Sequence, residues 1–587
     1  MTAPLASTTL SARIDAVLAE AFATAGLPVE GARAARASRP ELADLQCNGA
    51  LPLAKSQGQN PREIATAIAA ALAGHPALDS VEVAGPGFIN LRLSARFLAD
   101  CATAQGSDPM MGLREVPRRM VIDFGGPNVA KPLHVGHLRS LVIGESLRRI
   151  LAGLGHHVVS DVHLGDWGLQ MGMLVAEIRR RWPELSCFAT PPRPPASLPF
   201  DMADLTLLYP AAAAACREDP DRMAEARADT AALQSGEPGH RMLWSAMRAL
   251  SLAAQTRDFA TIGAHFDLLL GESDVQPLIP GMIEDLVERG IAIPSDGALI
   301  VEVAAETDAR PMPPLLLAKS DGAALYATTD LATILERVQR FPDLAAIVYV
   351  VDQRQSLHFE QVFRAAARAG YAPGVTLTFA GFGTVNGPDG KPYKTRQGGV
   401  AQLADLLDEA IGKAAERLAP RADLDDDARA RLARTIGIAA VKFADLSSYR
   451  TSGYVFDPER LVSFEGRTGP YVQYACVRIA SILERAAAEG HAPGAIAVIE
   501  PAERALVLDA ARLPDIVASA AANLAPNELA DFVFGLAQSF SRFYADCPVL
   551  AAPDPDIRAS RLALCALTRA VLVHGLDLLG IAVPDRM

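Results

Sequence analysis

Apolar residues repeat at helical spacing over residues 10–25 and 61–72, and both segments read as amphipathic, alanine-rich helices. Short apolar runs at 81–83 and 88–93 read as strands joined by the turn Ala84-Gly85-Pro86-Gly87. Helices mixed with strands predict an α+β module over residues 1–112. It carries no catalytic constellation, and a docking or folding role and an RNA-contact role are equally open. From residue 113 the pattern alternates. An apolar strand at 120–124 passes through a Gly/Pro turn into an amphipathic run at 138–151, and a second strand follows at 158–163. That order is a βαβ unit of a parallel sheet, with further strands predicted at 299–303, 346–351 and 376–379. Between about 183 and 300 the proline-rich Thr190-Pro191-Pro192-Arg193-Pro194-Pro195 stops helix formation, and helical segments at 219–234 and 242–263 follow. This predicts an insertion between two halves of an α/β domain. From 402 onward the periodicity is helical throughout, at 403–417, 426–445, 472–488, 503–513, 528–544 and 558–579, which predicts an all-α bundle.

Composition bounds the picture. The chain has 587 residues, enough for several cores, and is 50% hydrophobic and 21% charged. A net charge of −13 argues against a general nucleic-acid binder but leaves room for shape-specific RNA binding through local basic patches. Residues 1–12 lack the pattern of a signal peptide, and no uninterrupted apolar stretch has the length of a membrane span. The seven cysteines are scattered without a C-x-x-C pair, which indicates neither a zinc site nor a disulfide framework. Reduced thiols in a cytosolic protein are expected.

The chemistry concentrates in Asp123-Phe-Gly-Gly126-Pro127-Asn128-Val-Ala-Lys131-Pro-Leu-His134-Val-Gly136-His137. Two histidines three residues apart at a helix start share one side of its first turn. A helix N-terminus carries unpaired N–H groups and partial positive charge, so the motif suits phosphate and the charge that builds when an α-phosphate is attacked. Gly136 between them leaves space for a flat group to lie against the backbone. The run Lys391-Pro-Tyr-Lys394-Thr-Arg396-Gln-Gly-Gly399 reads either as a solvated surface loop or as a phosphate clamp. Tyr326 and Asp330, four apart, share a helix face. With Asp123 at a strand end and Gln355 after a later strand, they read either as a set suited to a guanidinium, if the fold brings them together, or singly as ordinary helix and strand-end residues. His163-Leu-Gly-Asp166-Trp167-Gly-x-Gln170 reads as a glycine-punctuated turn with a cap and a packing tryptophan. A metal reading of His156, His157 and His163 has no partner ligand at metal spacing.

Together these motifs resemble the arginyl-tRNA synthetases, class I aminoacyl-tRNA synthetases, over nearly the whole chain. The resemblance rests on Pro127-Asn128-x-x-Lys131-x-x-His134-Val-Gly-His137, the 163–170 motif, Phe266-Asp267, Gly271-Glu272-Ser273 and Val350-Val-Asp352-x-x-Gln355-x-x-His358-Phe359. On the C-terminal side it rests on Ala444-Asp445-Leu446-Ser447, Gly469-Pro-Tyr-x-Gln473-Tyr474, Phe540-x-x-Phe543-Tyr544 and Pro584-x-Arg586-Met587. The implied fold class is multi-domain. An α+β N-terminal domain (1–112) contacts tRNA. An α/β Rossmann-like parallel-sheet catalytic domain (113–401) carries a helical insertion (about 183–300). An all-α C-terminal bundle (402–587) binds the anticodon.

The resemblance implies two steps. Arginine attacks the α-phosphate of ATP to give arginyl-adenylate and pyrophosphate, and the terminal ribose of tRNA(Arg) then takes the arginyl group at its 2′-hydroxyl. It further implies L-arginine, ATP and tRNA(Arg) as partners of a cytoplasmic, membrane-free monomer. Mg²⁺ accompanies the nucleotide and no tightly bound metal is expected. Arginine would meet Asp123, Gly126, Pro127, Asn128, His137, Tyr326, Asp330 and Gln355. ATP would meet His134, Gly136 and His137, with Gly381, Phe382, Gly383, Thr384 and Val385 on the adenine side. Catalysis would fall to His134, His137, Lys131, Lys394 and Arg396. The chain departs from the family pattern twice. The second lysine of the Lys-Met-Ser-Lys-Ser loop has no counterpart in Pro392-Tyr-Lys394-Thr-Arg396-Gln397, and Lys131 is the candidate to supply part of its charge. Gly126 stands where serine or alanine is common, so only its backbone can contribute. A different H-x-G-H nucleotidyl-transfer enzyme and a non-enzymatic tRNA-binding relative are the rival readings.

Overall fold

The structure, a computed structural model, describes residues 9–318, 325–393, 401–418 and 424–587. Helices α1 (Leu10–Thr24) and α3 (Pro61–Leu72) lie where the periodicity puts them. Thr9 caps the first, and Asn60, with Pro61 at the first helical position, caps the second. The sequence between them, left without elements by its pattern, forms β1 (Ala34–Arg36), β2 (Leu45–Cys47) and α2 (Ala50–Gln57). Strands of three residues are too short to show a period. With β3 (Leu78–Ala84) and β4 (Phe88–Leu93) they make an antiparallel sheet of order β1-β2-β4-β3, and α4 (Ala95–Ser107) leads out of it. Asp44, buried in this unit, accepts the Leu93 N–H at 2.8 Å. It also accepts Arg504 Nη1 at 2.5 Å, which ties the unit to the C-terminal bundle.

The α/β part opens with β5 (Arg119–Phe124), α5 (Val135–Gly153), β6 (His157–Asp161) and α6 (Leu169–Arg181). Three helices follow: α7 (Met202–Glu218), α8 (Pro220–Ser235) and α9 (Pro238–Ile262). The chain then returns beside the end of β6, where Leu268 bridges Asp161 and Gly271 bridges Leu164, to reach α10 (Glu272–Val275) and α11 (Ile279–Glu288). The strand predicted at 299–303 as part of the parallel sheet is not there. It is β8 (Ala298–Val301), paired antiparallel with β7 (Ala292–Ser295) and β9 (Leu315–Ala318) in a separate sheet. The cause is local. Asp296 and Gly297 form a two-residue turn with φ of 46° and 78°, the Asp-Gly pair of a tight hairpin. After α12 (Tyr326–Arg340) come β10 (Leu344–Val350), α13 (Ser356–Ala369) and β11 (Thr376–Phe379). The parallel sheet has the order β11-β10-β5-β6. Its two halves diverge from the β5/β10 pair, so the crevice at the carboxyl ends of those two strands is the expected ligand site.

The strand β12 (Val385–Asn386) pairs in parallel with β13 (Tyr454–Val455), which lies between helices of the C-terminal part. That part is helical: α14 (Leu403–Leu418), α15 (Asp426–Leu446), α16 (Pro458–Leu461), α17 (Gly469–Ala488), α18 (Pro501–Ala510), α19 (Leu513–Ala522), α20 (Pro526–Asp546) and α21 (Pro555–Leu578). The sequence pattern gave no sign of α19. By length and composition α21 could cross a membrane, but Arg561 and Arg569 interrupt its apolar run and 61% of its apolar window is buried in the bundle. The bundle grips the catalytic part directly. Arg139 of α5, buried, donates from Nε to Asp445 of α15 at 3.0 Å and from Nη1 to the Ser452 carbonyl at 2.7 Å.

Candidate active site

The ends of β5 and β10 are clamped to α5 through one hydroxyl. Ser140 Oγ accepts the Gly125 N–H at 2.8 Å and donates to the Val350 carbonyl at 2.7 Å. The loop that follows β5 runs against the 163–170 motif. Val129 N–H donates to the Gly165 carbonyl at 3.0 Å, and Gly165 N–H donates to the Pro127 carbonyl at 3.1 Å. A Cβ on Gly165 would stand 2.1 Å from Asn128 Oδ1, so only glycine admits this side chain so close. Asp166 anchors the motif from beneath. It accepts the Ser273 N–H at 2.9 Å, the Ser273 hydroxyl at 2.7 Å and Arg248 Nε at 2.9 Å.

At the head of α5 the two histidines cap the helix reciprocally. His134 Nδ1 accepts the Gly136 N–H at 3.0 Å, and His137 Nδ1 accepts the His134 N–H at 3.0 Å. Their rings lie 3.9 Å apart. Two of the backbone donors expected to face a phosphate are therefore taken up by imidazoles. A Cβ on Gly136 would meet His134 Cε1 at 2.7 Å, so the flat group that this glycine admits is the His134 ring itself. Burial pushes both imidazoles down, His137 to about 3, with His134 and Lys131 adding to the effect on His137 and Lys131 to that on His134. Both rings are neutral at neutral pH. With Nδ1 accepting, each neutral ring carries its proton on Nε2. The pair presents two N–H donors rather than two cations.

Across the crevice, α12 places Tyr326 and Asp330 on one face, as their spacing predicts. Asp330 Oδ2 meets His358 Nε2 at 2.5 Å. Glu272, buried at the start of α10, accepts the Trp167 N–H at 3.2 Å. Burial pushes its carboxyl up to about 7, and the nearby Asp166 and Asp330 push the same way. Neither ring nitrogen of His163, which favours the ionised form of Glu272, has a hydrogen-bond partner among the described residues. Glu272 was legible only as part of a matched tripeptide. Its carboxylate lies 58 residues from Asp330 in sequence, and no local pattern announces that α10 and α12 pack together.

One expected arginine contact is already engaged by the protein itself. Asp123 Oδ2 is taken by Arg337 Nη2 at 2.6 Å, and the same nitrogen meets Asp161 Oδ2 at 2.7 Å. Arg337 is fully buried, so the guanidinium that Asp123 holds is the chain's own. Gln355 ends a 3₁₀ turn, exposed, and donates its N–H to the Asp352 carbonyl at 2.9 Å. His358, three residues on, is the group from that motif that reaches Asp330. The 381–385 segment leaves β11 at the crevice, yet the protein itself engages most of it. Phe382 is buried, Gly383 N–H donates to the Arg450 carbonyl at 2.9 Å, and Arg450 Nη1 donates to the Gly381 carbonyl at 2.9 Å. Lys394 and Arg396 lie outside the described residues. On one side of them Tyr393 N–H donates to the Val385 carbonyl at 2.9 Å, and on the other the Ala401 carbonyl accepts the Val135 N–H at 3.0 Å.

Three family models match the chain in order. An arginyl tRNA synthetase N-terminal domain covers residues 8–93, a class I (R) tRNA synthetase catalytic domain covers 110–458, and a DALR anticodon binding domain covers 472–587. The chain belongs to the arginyl-tRNA synthetases. It is 50% identical to the arginine–tRNA ligase of Maricaulis maris (strain MCS10) over 584 residues, 98% of this chain and 99% of that one. It is 48% identical to that of Hyphomonas neptunium (strain ATCC 15444) over 589 residues, 99% and 100% of the two chains. The crystal structure of the Plasmodium falciparum arginyl-tRNA synthetase has the same fold, with a TM-score of 0.82 at 23% identity over 99% of this chain and 100% of that one. As an arginyl-tRNA synthetase of class I, the protein aminoacylates tRNA(Arg) with arginine and uses ATP as a substrate.

Proposed function

We propose how this synthetase divides the crevice between its substrates. The observation that carries the reading is the opposition of two chemistries. Neutral Nε2–H donors of His134 and His137 stand at the head of α5, and an acidic wall of Glu272 and Asp330 stands beside the Tyr326 phenol. The arginine guanidinium, planar and always charged, goes to Glu272 and Asp330 with Tyr326 at its edge. His358 shares Asp330 with it. The arginine carboxylate then lies toward Asn128, Pro127 and the Gly126 backbone and attacks the α-phosphate from there. Charge grows on the phosphate oxygens and on the leaving pyrophosphate. The two Nε2–H groups meet it with no proton changing hands, because the donors are preset by the capping bonds on Nδ1. Lys131, with Lys394 and Arg396, supplies the cationic charge, to which Mg²⁺ accompanying the nucleotide would add. Gly136 and the 381–385 segment border the nucleotide. Asp123 serves the site through Arg337, as part of the sheet that supports it.

In this reading residues 1–112 contact the body of tRNA(Arg), 113–401 carry the chemistry and 402–587 take the anticodon. The enzyme works as a monomer in the cytoplasm, and the seven free, buried cysteines suit that compartment. Arginine-dependent ATP–pyrophosphate exchange with tRNA(Arg) present tests the division. Asp330→Ala removes a hydrogen bond to a charged group, typically about 1.5–3 kcal/mol, so the arginine KM should rise about 10- to 100-fold while the ATP KM holds. An unchanged arginine KM refutes the assignment of the acidic wall.

A further inference from the structure

The inserted helices hold the loop before His134 at three points. Ala130, fully buried at φ +63°, gives its N–H to Ser251 Oγ of α9 at 2.9 Å. Gln255, one turn further along α9, donates from Nε2 to the Asn128 carbonyl at 3.0 Å and to the Lys131 carbonyl at 3.4 Å. A left-handed conformation at a residue with a Cβ persists only where its surroundings impose it. The third hold is on a side chain. Lys131 Nζ lies 4.2 Å from the ring centroid of Tyr209, which α7 presents immediately before its internal Pro210. Among the described residues no carboxylate forms an ion pair with Lys131. Its charge reaches both His134 and His137, and Tyr209 also lies within electrostatic range of Tyr326. Tyr209 thus lies within reach of both Lys131 and Tyr326.

We propose that Tyr209 is a positioning residue for amino-acid activation: its ring face holds the Lys131 ammonium beside His134 and His137, ready for the phosphates of ATP. The inference rests on the phosphate role given to Lys131 above. An aromatic face suits this task for a physical reason. Lysine is a compact charge on a flexible four-carbon stem, and it is useful only if that stem is held. A carboxylate would hold it but would neutralise the charge that the phosphate needs. A ring attracts the cation through its quadrupole and leaves the net charge intact. The phenol hydroxyl takes no part in that contact. Through Tyr209, Ser251 and Gln255 the insertion contributes to the chemical step without touching either substrate.

The test is steady-state ATP–pyrophosphate exchange with saturating arginine and tRNA(Arg), on full-length enzyme whose thermal midpoint is recorded in parallel. Tyr209→Leu should lower kcat about 3- to 30-fold, the range of one desolvated cation–π contact, and leave the arginine KM unchanged. Tyr209→Phe keeps the ring and should restore kcat to within about twofold of the parent. In a Lys131→Ala background, Tyr209→Leu should add no further loss. If Tyr209→Leu does not fold, Tyr209→Gln takes its place under the same expectations. Three results overturn the proposal: parental kcat in the ring-deleted variant, equal damage in Tyr209→Phe, or the full loss repeated on top of Lys131→Ala. A Lys131→Ala enzyme with parental kcat overturns the role of Lys131 itself. An impaired Lys131→Ala beside an unaffected Tyr209→Leu overturns only the role of Tyr209.

Discussion

In the proposed division of the site His134 does two jobs with one ring: Nδ1 caps α5, and Nε2–H is left for the phosphate. The jobs can be separated. Asparagine is among the best N-caps, so His134→Asn should keep the unfolding free energy close to the parent value while the kcat for exchange falls by about 10²–10³. His134→Ala should lose both, with about 1 kcal/mol of stability added to the same kinetic loss, read by urea denaturation. Glu272 carries a pH signature. Its carboxyl is pushed up to about 7, and only the ionised form attracts a guanidinium. Below about pH 7 the arginine KM should therefore rise as pH falls, approaching tenfold per unit, and above it the profile should flatten. The folding term has the opposite sign. A carboxyl raised in the folded state favours folding below its unfolded pKa, and that benefit is lost as pH rises through about 7. Glu272→Gln should then raise the midpoint of the substrate-free enzyme at pH 8 while it weakens arginine binding. Positions set by local geometry were legible in the sequence: the histidine pair at a helix start by its spacing, Tyr326 and Asp330 on a shared face. Glu272, His358 and Tyr209 were not, because each acquires its meaning from a helix distant in sequence. Asp123 was misread for the same reason. Its partner Arg337 lies on α12, 214 residues away.

At the scale of elements, the predicted helices lie near their expected bounds, whereas α7, α19 and the short strands were not predicted. Helix α3 begins and ends where its periodicity says, because a cap, a first-turn proline and a repeated apolar face agree. The strands β1 and β2 have three residues each and owe their existence to their neighbours in the sheet. The misplaced strand β8 had an unread signal, Asp296-Gly297, which demanded a hairpin and so an antiparallel neighbour. The parallel sheet depends on a feature that no pattern shows, the Arg337 guanidinium buried between Asp123 of β5 and Asp161 of β6. Removing it leaves two carboxylates in a dry interior. Arg337→Leu should cost about 3–5 kcal/mol in urea denaturation at pH 7, and adding Asp123→Asn should return part of that.

At the scale of the molecule, the order of an α+β unit, an interrupted α/β domain and a helical bundle was readable from changes of period alone. How the parts meet was not, since interdomain contacts such as Asp44 with Arg504 join residues 460 positions apart. The net charge of −13 confines any attraction for tRNA to local basic surface. Affinity for tRNA(Arg) should still fall linearly with salt on logarithmic axes, and the slope counts the phosphates that this surface neutralises. Fluorescence titration across a salt series measures it, and a salt-independent affinity contradicts the reading. The buried bond from Arg139 to Asp445 and the Ser452 carbonyl has an evolutionary consequence. A lineage can alter the RNA-facing surface of its bundle one residue at a time. It cannot exchange the whole bundle for a foreign one unless the newcomer carries a carboxylate and a carbonyl at the same two places. Otherwise the histidine-bearing helix is left with an unanswered guanidinium in a dry seam. A breakpoint between 139 and 445 separates the two sides of that seam, whereas one after 458, where the catalytic family model ends, keeps both sides together and leaves the 472–587 domain free to be exchanged.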